Sequence, residues 1–276
     1  MLKIENLNFS YSKHEVLKEI NLNLECGKIY GLLGQNGVGK TTLLKIMSGL
    51  LKPKSGVCNV LGYNPFKREP GFLQELFFIP EDFVGPDIEV NKYASLRGAF
   101  YPNYDGFKFS KLLTDFEVDG RSKFTKLSFG QQKKAIIAFA LSTNTKLVLM
   151  DEPSNGLDIP SKSQLRRIIS QASTDESCIV ISTHQVRDLE NLIDPIIILD
   201  TNDVLVNASV EEISSKLKFE FRDTPDKEAL YCEPTLGGYL TVNRNETEVE
   251  SKVNIETLFN TVLMNKKLSS RYLKNS

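Results

Sequence analysis

The chain has 276 residues, with 34 Lys plus Arg against 35 Asp plus Glu and two His, so a formal net charge of −1 gives no long-range attraction to polyanions and argues against a general nucleic-acid coat. Hydrophobic residues make up 41% and charged residues 25%, which excludes disordered and fibrous classes and suits one large α/β domain or a domain with an appendage. No apolar run approaches the roughly 18 residues of a membrane-spanning helix, and the opening MLKIENLNFSY alternates like a strand instead of building a signal peptide, so the expectation is a soluble, cytoplasmic protein. Cys26, Cys58, Cys178 and Cys232 are scattered without a CxxC pair and read as reduced packing residues.

Short alternating runs at Leu2 to Phe9 and Ile20 to Leu24 predict strands, and Lys28 to Leu33 predicts a third that ends in a glycine-rich loop. From Thr41 the apolar positions Leu43, Leu44, Met47, Leu50 and Leu51 have helical spacing, closed by Pro53. Residues 75–80 read as a strand, and 88–142 hold three helical stretches interrupted at Tyr101-Pro102-Asn103 and Gly120. Then Leu147 to Met150, Cys178 to Ile181 and Ile196 to Leu199 are unbroken apolar runs, the pattern of strands buried on both faces. Helices expected at 159–171 and 185–193 separate them in a βαβ rhythm, so the fold class is α/β with a helix-covered sheet. Ser209 and Glu212 have the spacing of a capping box. Short strands with a Gly237-Gly238 turn and an amphipathic helix at 254–265 complete the chain.

The segment Gly34-Gln-Asn36-Gly37-Val-Gly39-Lys40-Thr41 matches G-x-x-x-x-G-K-[ST] at every constrained position, between an expected strand and an expected helix. Backbone amides of such a loop and the helix N-terminus point at a phosphate chain, with the lysine reaching the β- and γ-phosphates and the threonine hydroxyl binding Mg²⁺. The alternative is an ordinary glycine-rich turn, which the Gly39-Lys40-Thr41 context disfavours. The Asn-Lys-x-Asp element of guanine-specific enzymes is missing, since Asn265-Lys266-Lys267-Leu268 fails that pattern. The strand at 147–150 ends in Asp151-Glu152, two carboxylates at the edge where open α/β sheets hold ligands. Asp151 is expected to hold Mg²⁺ and Glu152 to face the water that attacks the γ-phosphate. His184, after the next buried strand, is positioned to contact the γ-phosphate, whereas His14 reads as a solvated loop residue.

With Leu127-Ser128-Phe129-Gly130-Gln131 before a helical run, the chain resembles the nucleotide-binding subunit of an ATP-binding cassette (ABC) transporter over roughly residues 2–210. The resemblance rests, in chain order, on Tyr11, the loop at 34–42, Pro80-Glu81, the signature at 127–131, Asp151-Glu152, and His184 with Ser154-Asn155-Gly156-Leu157-Asp158 before it. It implies a P-loop NTPase core with a mixed sheet, an antiparallel β subdomain, a helical subdomain at about 82–142 within an ATPase domain at 1–214, and a small α+β accessory segment at 215–276. It also implies ATP and Mg²⁺ as ligands. Tyr11 would stack on adenine, while Gly34, Asn36, Gly37, Gly39, Lys40, Thr41 and Thr42 would hold the phosphates. Ser128, Gly130 and Gln131 would cap ATP on a partner subunit, Asp158 would face that partner, and Thr41, Glu81 and Asp151 would serve the metal. Glu152, His184 and Lys40 are the expected catalytic residues.

The implied partners are a second cassette, identical or not, and an integral membrane permease, with no nucleic acid, which places the chain peripherally on the cytoplasmic face of the membrane. Two positions depart from the family pattern: Glu81 stands where Gln is usual, and Phe129 where Gly is usual. These departures, with residues 99–105 and 254–259, look like cassettes that serve small bacterial exporter-type permeases. The alternative is a non-transport ABC ATPase acting on an assembly such as the ribosome, but neither a second cassette, nor a long coiled-coil insertion, nor a basic surface is visible.

Overall fold

A computed structural model describes residues 1–246 and 251–265. The first elements are β1 (Leu2–Tyr11), β2 (His14–Leu24), β3 (Lys28–Leu33), α1 (Lys40–Met47), β4 (Ser55–Val60), α2 (Pro70–Gln74) and β5 (Leu76–Ile79). A helical stretch follows with α3 (Val90–Gly98), α4 (Gly106–Asp115) and α5 (Phe129–Ser142). The chain then alternates through β6 (Leu147–Asp151), α6 (Ile159–Ala172), β7 (Cys178–Thr183), β8 (Ile196–Asp200) and β9 (Asp203–Ala208). It finishes with α7 (Val210–Lys216), β10 (Leu217–Arg222), β11 (Tyr231–Thr235), β12 (Gly238–Arg244) and α8 (Ile255–Met264).

The central sheet has the order β5-β6-β7-β3-β8-β9, parallel except for β9, which runs antiparallel to β8 at the edge. Its apolar runs are buried on both faces because alternate residues serve two different cores. Val148, Met150, Ile179, Ile181, Ile196 and Ile198 pack with the helical side, and Leu147, Leu149, Val180, Ile197 and Leu199 pack with α1 and the antiparallel sheet β2-β1-β4. The expected α/β class with a P-loop NTPase core, mixed sheet, antiparallel β part and helical part is therefore what the chain builds.

In the helical part, Phe139 of α5 is the aromatic hub, in ring contact with Phe77, Tyr93, Tyr101, Tyr104 and Phe109. Beyond α7 the chain enters β10 directly, and β10-β12-β11 form a third, antiparallel sheet with the turn at Gly237-Gly238 between β11 and β12. The inner faces of α8 and β12 bring Leu258, Val262 and Val242 into the helical-side core.

Two expected helices are shorter than their spacing suggests. The helix α1 stops at Met47, not near Leu51, because Gly49 takes φ 73° and the Gly49 and Leu50 amides donate back to the Ile46 and Lys45 carbonyls, closing a Schellman turn. Between β7 and β8 there is a single 3-10 turn, Val186–Leu189, in place of a helix over 185–193. Glu190 is extended and Asn191 left-handed, so the chain turns back at once to lay β8 beside β3. Lys266 to Leu268, part of the segment compared with the guanine-specific element, lie outside the described residues.

Candidate active site

The strands β3, β7 and β6 are neighbours, with Leu33 paired to Thr183 and Asp151 to Ser182, so the loop at 34–41, the Asp151-Glu152 turn and His184 all leave the sheet at the same edge. Gly39 precedes α1 and has no side chain to cap it, and no acidic residue occupies the first helical turn. These first-turn amides therefore form an anion site that no side chain of the helix fills. The Lys40 ammonium is buried, donates to the Gly34 carbonyl at 2.8 Å and the Gln35 carbonyl at 3.2 Å, and lies 3.6 Å from Glu152 Oε1. Burial pushes it below the ordinary lysine range, and the carboxylates of Glu152, Asp151 and Glu81 oppose that shift.

Thr41 Oγ1 donates to Asp151 Oδ2 at 2.7 Å, and Ser182 Oγ donates to Asp151 Oδ1 at 2.5 Å. This is a hard, oxygen-only donor set of the kind Mg²⁺ prefers. Glu152 sits at φ 46°, a left-handed conformation that costs a non-glycine residue about 1–2 kcal/mol. Surrounding bonds hold it there. Its amide donates to Ser182 O at 3.2 Å and Ser182 Oγ at 3.1 Å, and its carbonyl accepts from Lys133 at 2.9 Å. On the side chain, Oε1 is 2.8 Å from His184 Nδ1, while Oε2 is buried without a hydrogen-bond partner. An orphaned carboxylate oxygen beside an anion-binding helix terminus is the geometry expected of a group that accepts a bond from a ligand or water.

Tyr11 leans over the same mouth. Its ring is 47% exposed, stands edge-on to Phe9, and its hydroxyl is 3.5 Å from Thr42 Oγ1. Glu81 is not brought to Thr41 or Asp151: its Oε1 accepts from Asn155 Nδ2 at 2.8 Å, so it points at the 154–158 loop.

The signature segment lies apart. Ser128 and Gln131 form a complete capping box at the start of α5, the Ser128 hydroxyl accepting from the Gln131 amide and the Gln131 side chain accepting from the Ser128 amide. Both are exposed, and among the described residues no hydrogen bond joins residues 128–131 to the phosphate loop. The Phe129 ring, 45% exposed, packs on Gly156, where a Cβ would come within 2.6 Å of it. Asp158 caps α6 through the Ser161 amide at 2.9 Å, and its hydrogen bonds to Ser161 hold its carboxyl below the usual range.

Two functional-site neighbours escaped the sequence reading. Ser182 orders both Asp151 and Glu152. Lys133 is a buried lysine four residues after Phe129, and the signal that could have found it is a charge on the apolar stripe of α5.

A family model for ABC transporters matches residues 17–155. The lantibiotic transport ATP-binding protein SrtF of Streptococcus pyogenes is 33% identical over 199 residues, covering 70% of this chain and 84% of its own. The energy-coupling factor transporter ATP-binding protein EcfA1 of Ligilactobacillus salivarius is 30% identical over 266 residues, covering 91% and 93%. Among solved structures, a dimeric ATP-binding cassette in a post-hydrolysis state with ADP and phosphate has the same fold, with a TM-score of 0.67, 23% identity, and coverage of 76% of this chain and 98% of its own. The chain belongs to the ABC transporter family, as an ATP-binding subunit that hydrolyses ATP.

Proposed function

We propose that this chain is the motor of an exporter: two cassettes close on two ATP molecules, each held by the phosphate loop of one subunit and capped by the signature segment of the other, and their opening and closing drives a separate membrane permease. The observation that carries this is the split within one chain, a phosphate site complete with an orphaned Glu152 oxygen and a signature cap left exposed, with no hydrogen bond among the described residues from 128–131 to the phosphate loop. The similarity to SrtF, a lantibiotic transport ATP-binding protein, and to a solved dimeric cassette supports the partners and the assembly.

In this reading Tyr11 stacks on the adenine, and the amides of Gly34 to Thr42 with Lys40 cradle the phosphates. Lys40, which donates to two loop carbonyls, exchanges them for phosphate oxygens. Thr41 and Asp151 would hold Mg²⁺, which neutralises charge on the β- and γ-phosphates, with Glu81 reaching it after leaving Asn155. Among the described residues no cluster of three or more His, Cys, Asp or Glu forms a metal cage, which suits a cation completed by phosphates and water. Glu152 orients and deprotonates the attacking water, and His184, already bonded to Glu152, steadies the γ-phosphate. Ser128, Gly130, Gln131 and Asp158 act across the dimer.

Residues 1–214 serve as the cassette, with 82–142 as its helical part, and 215–276 as an accessory unit; the separate sheet β10-β12-β11 supports that division. Among the described residues no helix is long and apolar enough to cross a membrane, so attachment to the cytoplasmic face depends on the permease. The experiment is affinity purification of the tagged chain from detergent-solubilised membranes with ATPase assay of what is recovered. A polytopic membrane protein whose presence stimulates hydrolysis is the expected result; recovery only with ribosomes overturns the transport reading.

A further inference from the structure

Lys133 is 1% exposed, on the face of α5 that also buries Ile136, Ile137 and Ala140. Its ammonium donates to the Glu152 carbonyl at 2.9 Å and the Asn155 carbonyl at 3.5 Å, and stands 5.1 Å from the centre of the Phe129 ring. Among the described residues no carboxylate lies within ion-pair distance of it. A buried ammonium with only carbonyls and a ring for neighbours is costly unless a surrounding field favours its charge. Burial does push its proton affinity down, and the carboxylates of Glu81, Glu152, Asp151 and Asp82 act the other way, Glu81 most strongly. Glu81 in turn accepts from the side chain of Asn155, the residue whose carbonyl faces Lys133. A continuous path therefore runs from Glu81 through Asn155 and Lys133 to the left-handed Glu152 turn, with the signature residue Phe129 lying over the ammonium.

We infer that Lys133 is a positioning residue for ATP hydrolysis, the internal counter-ion that lets this chain carry a carboxylate at Glu81 while tying the signature end of α5 to the Glu152 turn and the 154–158 loop. The site otherwise sets the carboxylates of Asp151 and Glu152, with Glu81 acting on Lys40 from its place beside Asn155, against the Lys40 ammonium, and a triphosphate adds more negative charge. Lys133 offsets one of those charges without occupying the phosphate pocket. Its carbonyl bonds also restrain the backbone from which Glu152 projects. The inference rests on Glu152 being the residue that acts on water.

The test is a double-mutant cycle of Lys133→Gln and Glu81→Gln in the full chain, read as kcat, KM and affinity for a fluorescent ATP analogue in EDTA. Lys133→Gln alone is expected to weaken metal-free nucleotide binding and lower kcat by about tenfold each, whereas in the Glu81→Gln background the same change costs about threefold or less. Equal losses in both backgrounds, or no loss in either, overturn the pairing. If Lys133→Gln does not fold by circular dichroism, recovery of folding in the double variant supports the pairing and failure to recover overturns it. Glu152→Gln in the same assays separates the two ideas: wild-type turnover there removes the base assignment, while the binding cycle in EDTA still reads the Lys133 to Glu81 coupling.

Discussion

The phosphate-loop edge and the signature end of α5 are both helix N-termini, yet the chain treats them in opposite ways. At α1 the residue before the helix is glycine, the first turn carries no acid, and Lys40, Asp151, Glu152 and His184 gather at the same sheet edge from three neighbouring strand ends. At α5 the same kind of terminus is satisfied locally by the Ser128–Gln131 box and left exposed. An uncapped terminus with Lys40, Asp151 and Glu152 beside it is built to take a ligand from solution, while a capped and exposed one is stable alone and free to meet a ligand already held elsewhere. The difference explains how one polypeptide can hold both halves of a site without assembling it.

Variants can break that contrast at several levels. The largest effect is expected at Glu152: Glu152→Gln should lower ATP turnover by about 10²–10⁴-fold, keep nucleotide binding, and accumulate a closed dimer seen by light scattering after size exclusion. Turnover at the wild-type rate would sink the base assignment. Next, Lys40→Ala should weaken ATP affinity by about 10–100-fold in a filter-binding assay, the loss of a buried charged hydrogen bond to phosphate.

Pairing it with Ser128→Glu sharpens the comparison, because a mixed dimer carries both defects in one site and leaves the other site intact. Mixing the two inactive variants should then restore ATPase activity above that of either alone; if no activity returns, the sites are not shared between subunits.

A smaller effect is expected at Gly156, whose φ of 78° and closeness to the Phe129 ring both resist a methyl group. Gly156→Ala should cost about 1–2 kcal/mol from the left-handed backbone alone, read by chemical denaturation, and part of any further loss should return when Phe129 is also made Ala. The smallest change belongs to Glu81→Gln, which should shift the Mg²⁺ dependence of ATPase activity by a few-fold at most; superimposable Mg²⁺ titrations of the two proteins would remove Glu81 from the metal's surroundings.

The departure at Phe129, which stands where the family usually has Gly, is accommodated within the chain itself. The ring packs against Gly156 and Lys133 and is about half buried, so it fills space between the signature and the 154–158 loop within one chain. Glu81 is likewise not an isolated extra charge, since Asn155 donates a hydrogen bond to it. Neither accommodation could be inferred from the residues concerned, because each depends on a loop more than 25 positions away in the chain.

What the sequence determined by itself are features whose causes act over a few residues or repeat along an element. The strand–loop–helix around Gly34 to Thr41, the capping box at Ser209, and the apolar runs of β6, β7 and β8 are of this kind, because hydrogen bonds from i to i+3 and side-chain periodicity are written locally. The tertiary structure decided which strand ends are neighbours, that His184 bonds Glu152 while Glu81 turns to Asn155, and that a lysine is buried beneath the Glu152 turn. Those outcomes follow from burying both faces of one sheet and from compensating charges brought together by it, and no local pattern carries the identity of a partner that only folding supplies.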